Sequence, residues 1–192
     1  STRVRSSAAS DVYKRQINSI ITMPANGIGS AISTIVGQNI GADQKDRADK
    51  AYHYALRMGA LFLLFFGLIL SRRFISQAMV TFFSTDERVI PLATDFLSLM
   101  AFWCWSNAFY NVTQGLFQGS GHTMITMIVD ASRIWIFRLL TLWVCANVLN
   151  MGVESVWYAV VISNGTSAAI LYGLYWTGIW KKSTIKIEKT EG

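Results

Sequence analysis

Long apolar stretches separated by short charged connections set the pattern of this chain. Phe62–Leu70 (FLLFFGLIL) is almost unbroken, and Leu97–Phe109, Met124–Val148 and Val156–Trp180 carry few charges. A spanning helix needs roughly 20 mostly apolar residues, because the hydrocarbon core of a bilayer is about 30 Å thick. Inside it every backbone polar group must be satisfied by the protein itself, which leaves helices or closed barrels. Barrel strands run to about 10 residues of strict alternation, and these stretches are longer and more evenly apolar. The pattern predicts an all-α, polytopic transmembrane bundle with five spans, Ile17–Ile40, Ala51–Leu70, Val89–Phe117, Thr123–Leu149 and Glu154–Trp180.

The first span is rich in small and polar residues (NGIGSAISTIVG), which suits a helix packed tightly among others or against a cavity. A connection of mixed charge, Gly41–Lys50, follows it, and the second span stops at Arg72-Arg73. Phe74–Phe83 is amphipathic and too short to cross, as expected for a helix lying in the interface. Ser84 or Thr85, followed by Asp86 and Glu87, reads as a capped helix start, with Pro91 in the first turn. Gly119-Ser120-Gly121 closes the third span with a tight turn, and Asn150-Met151-Gly152 closes the fourth. Trp157, Tyr158, Tyr175, Trp176 and Trp180 lie near span ends, where aromatic belts form.

Composition agrees: 52% of residues are hydrophobic, 15% are charged and the mean hydropathy is +0.35, against about 25% charged residues in soluble domains. A net charge of +6 could serve nucleic acid, but the basic residues sit in connections and tails, where they meet anionic headgroups. The expected partner is therefore a lipid bilayer and not nucleic acid. Placing the tail inside puts Lys181, Lys182, Lys186, Lys189, Lys45, Arg47 and Lys50 on the cytoplasmic side, against Arg72, Arg73 and Arg88 outside. The positive-inside rule favours that orientation. Residues 1–16 have no apolar core and no initiating Met, and read as a foreign or disordered leader; 181–192 reads as a basic cytoplasmic tail. Cys104 and Cys145 are isolated within spans, outside any zinc or disulfide pattern. His53 and His122, near the connections, are expected at the surface.

Polar and ionisable residues inside spans carry the candidate chemistry, since a charge there costs about 2.5–3.5 kcal/mol on insertion scales. Asp130 and Arg133, three apart, share a helix face and read either as an intrahelical ion pair near the headgroups or as a gate. Arg138 lies deeper, as an anchor to a neighbouring helix or as part of a cavity lining. Asp95 is either an interfacial carboxylate or a cation- or proton-binding group in an outward cavity. Asn107, Asn111 and Gln114 fall on one face of the third span, as packing contacts or as substrate ligands. Trp103, Trp105, Phe109 and Tyr110 surround them, an aromatic wall suited to a flat organic cation or simply to packing. Gln38 and Asn39 end the first span, as caps or as ion ligands. No P-loop, metal-ligand cluster or nucleophile motif is present in the sequence, which argues against ATP-driven transport, a cofactor or an enzyme.

Three segments carry a resemblance over residues 17–180. They are Pro24–Ala51 (PANGIGSAISTIVGQNIGADQKDRADKA), Phe109–Thr123 (FYNVTQGLFQGSGHT) and the approach to Arg138 (IWIFRL). Together they resemble the multidrug and toxic compound extrusion (MATE) family, whose members have about twelve helices in two similar halves. The family often places a proline shortly after the arginine; here Leu139-Leu140-Thr141 follows without it. The resemblance implies five helices of the C-terminal half, with the N-terminal half as a missing partner and the helix before Ile17 absent or replaced. It implies antiport of drugs or organic cations against Na⁺ or H⁺ across the cell membrane, a prokaryotic inner membrane. The rival readings are a lipid-linked oligosaccharide flippase of the same superfamily and a non-transporting membrane fragment. On this reading Asn107, Asn111, Gln114, Trp103 and Tyr110 contact substrate, and Asp95, Asp130 and Arg138 are ion-coupling candidates. Gln38, Asn39 and Arg133 are gate candidates. Some relatives carry a carboxylate near the position of Asn107, so the amide weakens the case for an acid-based ion site there.

Overall fold

The computed structural model describes residues 23–83, 89–150, 152 and 154–182. The leader, the caps Ser84 and Thr85, and the tail beyond Lys182 lie outside the described residues. The described residues are helical, with no strand among them: α1 (23–41), α2 (Lys45–Leu70), α3 (Arg73–Phe83), α4 (Val89–Phe102), α5 (Trp105–Gly119), α6 (Thr123–Ser132), a π-helical turn (Arg133–Arg138), α7 (Leu139–Asn147), α8 (Glu154–Trp176) and a 3₁₀ turn (Ile179–Lys181). Among them, α2 is the one unbroken helix both long and apolar enough to cross a bilayer by itself. Leu61, Phe62, Leu64, Phe65, Phe66 and Leu68 stand exposed on it, as a lipid-facing surface requires.

Helix α5 is the hub. It packs on α2 and α8, and glycines bring it against α1. A Cβ added to Gly29 would lie 2.7 Å from the Asn111 carbonyl oxygen, and one added to Gly115 or Gly119 would overlap the carbonyl oxygens of Gly29 or Ser33. Gly29, Ser33 and Gly37 on α1 and Asn111, Gly115 and Gly119 on α5 each recur every four residues, so each set forms one stripe. Small stripes let helix backbones meet and pack by dispersion, the main source of helix association in lipid. Ile32, Val36, Leu116, Phe117 and Leu171 fill the core on one side of this seam. Leu63, Val80, Leu97, Cys104 and Ala108 form a second core towards α3 and α4.

The structure corrects the third span. The sequence pattern runs through Val89–Phe117 as one helix, but the chain breaks at Trp103-Cys104, between α4 and α5. The amides of Cys104, Ser106 and Asn107 bond three residues back, to Ala101, Trp103 and Cys104, at 3.2, 3.1 and 3.0 Å. The cause is contact with α2: the Cys104 thiol donates to the Leu63 carbonyl at 3.0 Å, and a Cβ on Gly67 would sit 2.7 Å from that sulfur. The fourth span is also not a uniform helix, because the π turn interrupts it between Arg133 and Arg138. The fifth ends at Trp176, earlier than expected, where Gly178 takes a left-handed φ of 68° and turns Trp180 back into the core.

That return builds a clasp between the start of α2 and the end of α8. The Tyr175 hydroxyl donates to the Asp49 carboxylate at 2.7 Å, and its ring stacks on Tyr52 at 4.6 Å and on Trp180 at 6.0 Å. His53, expected at the surface, is half-buried here, because its ring packs edge-on against Tyr52 and Tyr175 while Nδ1 bonds the Asp49 carbonyl. A hydrogen bond to a charged group contributes roughly 1.5–3 kcal/mol, and partial exposure of Asp49 places this one at the lower end. Tyr175→Phe should therefore lower the unfolding midpoint in detergent and speed tryptic cleavage after Lys181. Unchanged cleavage would mean that the stacked rings hold the clasp without the hydroxyl.

Candidate functional site

Tyr110 and Gln114 are four residues apart on α5 and point at α6 from the same face. The Tyr110 hydroxyl donates to one oxygen of the Asp130 carboxylate and the Gln114 amide donates to the other at 2.7 Å. Arg133, one turn further on, donates to Asp130 at 3.2 Å and, through its other terminal nitrogen, to the Asn164 side-chain Oδ1 on α8 at 3.2 Å. Its guanidinium also lies over the Tyr110 ring, 4.7 Å from the centroid, a cation–π contact. At the far end of the π turn, Arg138 Nε donates to the Ser163 hydroxyl at 3.4 Å. One polar cluster thus ties α5, α6, the π turn and α8 together.

Burial makes the electrostatics count. The side chains of Arg133 and Asp130 are 22% and 32% exposed, so screening is weak and the pair interacts more strongly than a surface pair. Each oxygen of the carboxylate accepts from at least one donor, which fixes its orientation. Arg138 has no carboxylate partner among the described residues, so the cluster holds two guanidiniums and one carboxylate. No group of three or more His, Cys, Asp or Glu converges as a metal site among the described residues.

The other expected site residues fall elsewhere. Asp95 faces the opposite end of the bundle, paired with Arg73 at 3.4 Å with side chains 51% and 73% exposed. It borders a groove of about 460 Å³ with Ser71, Ser98, Leu99, Phe102, Trp157 and Tyr158. Asn111 bonds the Asn107 carbonyl at 2.8 Å and lies against α1; Asn107 is half-buried above it. Trp103, beside the helix break, stacks on Trp105 at 6.3 Å. Gln38 and Asn39 lie at the end of α1, where their carbonyls accept the Ala42 and Gln44 amides and the Asn39 side chain bonds Ile35 at 2.7 Å. No described hydrogen bond or ion pair joins them to Arg133. The sequence reading missed Ser163 and Asn164. The polar run Ser163–Ser167 (SNGTS) within an apolar helix was the available signal.

The MatE family model matches residues 12–144. The probable multidrug resistance protein NorM of Thermotoga maritima is 22% identical over 169 residues, covering 88% of this chain and 36% of that protein. The probable multidrug resistance protein YoeA of Bacillus subtilis is 24% identical over 174 residues, with coverage of 88% and 36%. Among solved structures, the crystal structure of the eukaryotic MATE transporter AtDTX14 is similar in fold, with a TM-score of 0.79 at 20% identity over 91% of this chain and 38% of that one. The chain spans about a third of the length of these relatives.

Proposed function

This chain belongs to the MatE family, and on that premise we propose that it is part of the C-terminal half of a secondary active antiporter. The antiporter exports drugs or organic cations across the cell membrane in exchange for Na⁺ or H⁺. The observation that carries this is Asp130, an ionisable group within a membrane helix that is held by Tyr110 and Gln114 of α5 and by Arg133, which in turn reaches Asn164 on α8. Intramembrane carboxylates of this kind mark ion and proton pathways. A proton or Na⁺ arriving at Asp130 competes for the carboxylate with Arg133 and with the Tyr110 and Gln114 donors of α5, and so loosens α6 from α5. Such a step biases one bundle against the other, as alternating access requires.

Coupling is assigned to Asp130 and gating to Arg133. Arg138 is cationic and supports the site without holding a cation, and Asp95 with Arg73 closes the opposite end. Substrate contacts go to Tyr110 and Gln114 at the cluster and to Asn107, Asn111 and Trp103 along α5. Gln38 and Asn39 serve as the hinge between α1 and α2. The flippase reading draws on one observation, the two arginines, which would suit a lipid-linked phosphate.

The test is ethidium efflux from an efflux-deficient bacterial strain expressing the gene that encodes this chain, with Na⁺ or pH gradients imposed in turn. Efflux driven by one gradient, and slowed at least about tenfold by Asp130→Asn, which is about 1.4 kcal/mol, is expected. Equal efflux in the variant would remove Asp130 from coupling. No efflux under either gradient would remove the antiporter reading.

A further inference from the structure

We propose that Arg133 and Arg138 form an anion-binding subsite between the π-helical turn and α8, shaped for an oxyanion such as a phosphate, sulfate or carboxylate group. The inference deepens the transporter reading, on which it rests for the use made of the anion, by adding anionic or zwitterionic compounds to the ligands handled.

Unused donors are the first ground. Arg138 engages Ser163 through Nε alone among the described hydrogen bonds, leaving both terminal nitrogens to a ligand. Arg133 uses its terminal nitrogens on Asn164 and Asp130, while its Nε is buried with no hydrogen-bond partner. The Ser167 hydroxyl is likewise buried without a partner. It lies four residues from Ser163 and thus on the same face of α8. Buried donors are nearly always satisfied in native proteins, so Arg133 Nε and the Ser167 hydroxyl are two donors that a bound group can satisfy.

Charge is the second ground. Arg133 and Arg138 reach adjacent residues of α8, Asn164 and Ser163, so two like charges converge on one stretch of that helix, and Asp130 can neutralise only one of them. An uncompensated cation within a span is costly, and an oxyanion between the arginines removes both the repulsion and the unmet charge. Guanidinium is the side chain best matched to oxyanions, through paired, charge-assisted hydrogen bonds.

Backbone geometry is the third. On an α-helix, residues five apart differ in direction by about 140°. The i→i+5 winding of a π turn brings positions 133 and 138 towards a common side, and both side chains reach neighbouring residues of α8. The turn begins at one arginine and ends at the other, so the irregular winding and the paired charges coincide.

The experiment titrates the full chain in neutral detergent with sodium sulfate and with inorganic pyrophosphate at constant ionic strength, followed by calorimetry. Binding is expected, weakened about tenfold or more in Arg138→Gln and less in Ser167→Ala, in line with losing a charge-assisted contact. Arg138→Lys, which keeps the charge, should bind at an intermediate level and guards against misfolding of the neutral variant. Arg57→Gln, at an exposed position on α2, should bind like the wild type. Repeating the titration in phosphatidylglycerol and phosphatidylcholine nanodiscs identifies the source. Loss of sulfate binding only in phosphatidylglycerol assigns the subsite to a lipid phosphate, and equal binding in both assigns it to a soluble anion. Failure of sulfate and pyrophosphate to bind, or an equal loss in Arg57→Gln, would overturn the proposal. Neither failure touches ethidium efflux, so the two readings stand or fall separately.

Discussion

Gly115→Leu should leave almost no folded protein. The seam between α1 and α5 has no room for even one carbon at this position, because a Cβ would overlap the Gly29 carbonyl and crowd Ile32. Neither neighbour can yield by a rotamer change, since one is backbone and the other belongs to the core. Overpacking by single methyl groups costs about 1–3 kcal/mol in well-packed interiors, and leucine adds four heavy atoms where none fits. Gly115→Ala should show that smaller cost, as a lowered melting temperature in detergent. Gly173 on α8 has open space around an added Cβ, so Gly173→Ala should be neutral or stabilising by up to about 1 kcal/mol, from helix propensity alone. Equal destabilisation by the two alanine variants would show that the seam does not hold the bundle.

Asp130→Ala should be nearly as damaging, for an electrostatic reason. It strips the acceptor from Tyr110, Gln114 and Arg133 together and leaves Arg133 charged and mostly buried beside Arg138. Breaking a buried pair by removing one member costs about 3–5 kcal/mol, and the partial exposure of this pair favours the lower figure. The double variant Asp130→Ala/Arg133→Leu should recover most of that loss, because apolar replacement of a whole pair is often neutral. Chemical denaturation of the three proteins gives the comparison directly. If the double variant is no more stable than the single one, the stabilisation comes from the tyrosine and glutamine bonds and not from the ion pair.

Much of the architecture was readable because lipid imposes its own rule on composition. The spans around α2 and α8, the short amphipathic α3 and the Gly119–Gly121 turn follow from apolar length and from local backbone preference. Asp130 with Arg133 was readable from three-residue spacing alone. The break at Trp103-Cys104 was not, since no proline or glycine marks it and its cause is a contact with Leu63 and Gly67 some forty residues earlier. The π turn likewise answers to Ser163 and Asn164, which the sequence places on another helix. Asp95 was grouped with Asp130 because both are acids within spans; antiparallel threading puts them at opposite ends. The early stop of the fifth span was signalled by Gly178, whose freedom to adopt positive φ was outweighed by the apolar run around it.

The buried return of Trp180 has an optical consequence. Of the seven tryptophans in the chain, it is the one fully shielded on all sides, with its ring nearly parallel to Tyr175 at 12° and the Lys181 ammonium 5.4 Å above it. Its emission is thus sheltered both from iodide in water and from brominated lipid in the bilayer, while Trp135, Trp143 and Trp176 remain open to one or the other. A movement that parts α2 from α8 converts this silent fraction into a quenchable one. The clasp thereby gives the molecule an intrinsic fluorescence gauge of whether that end is open or shut, with no label attached.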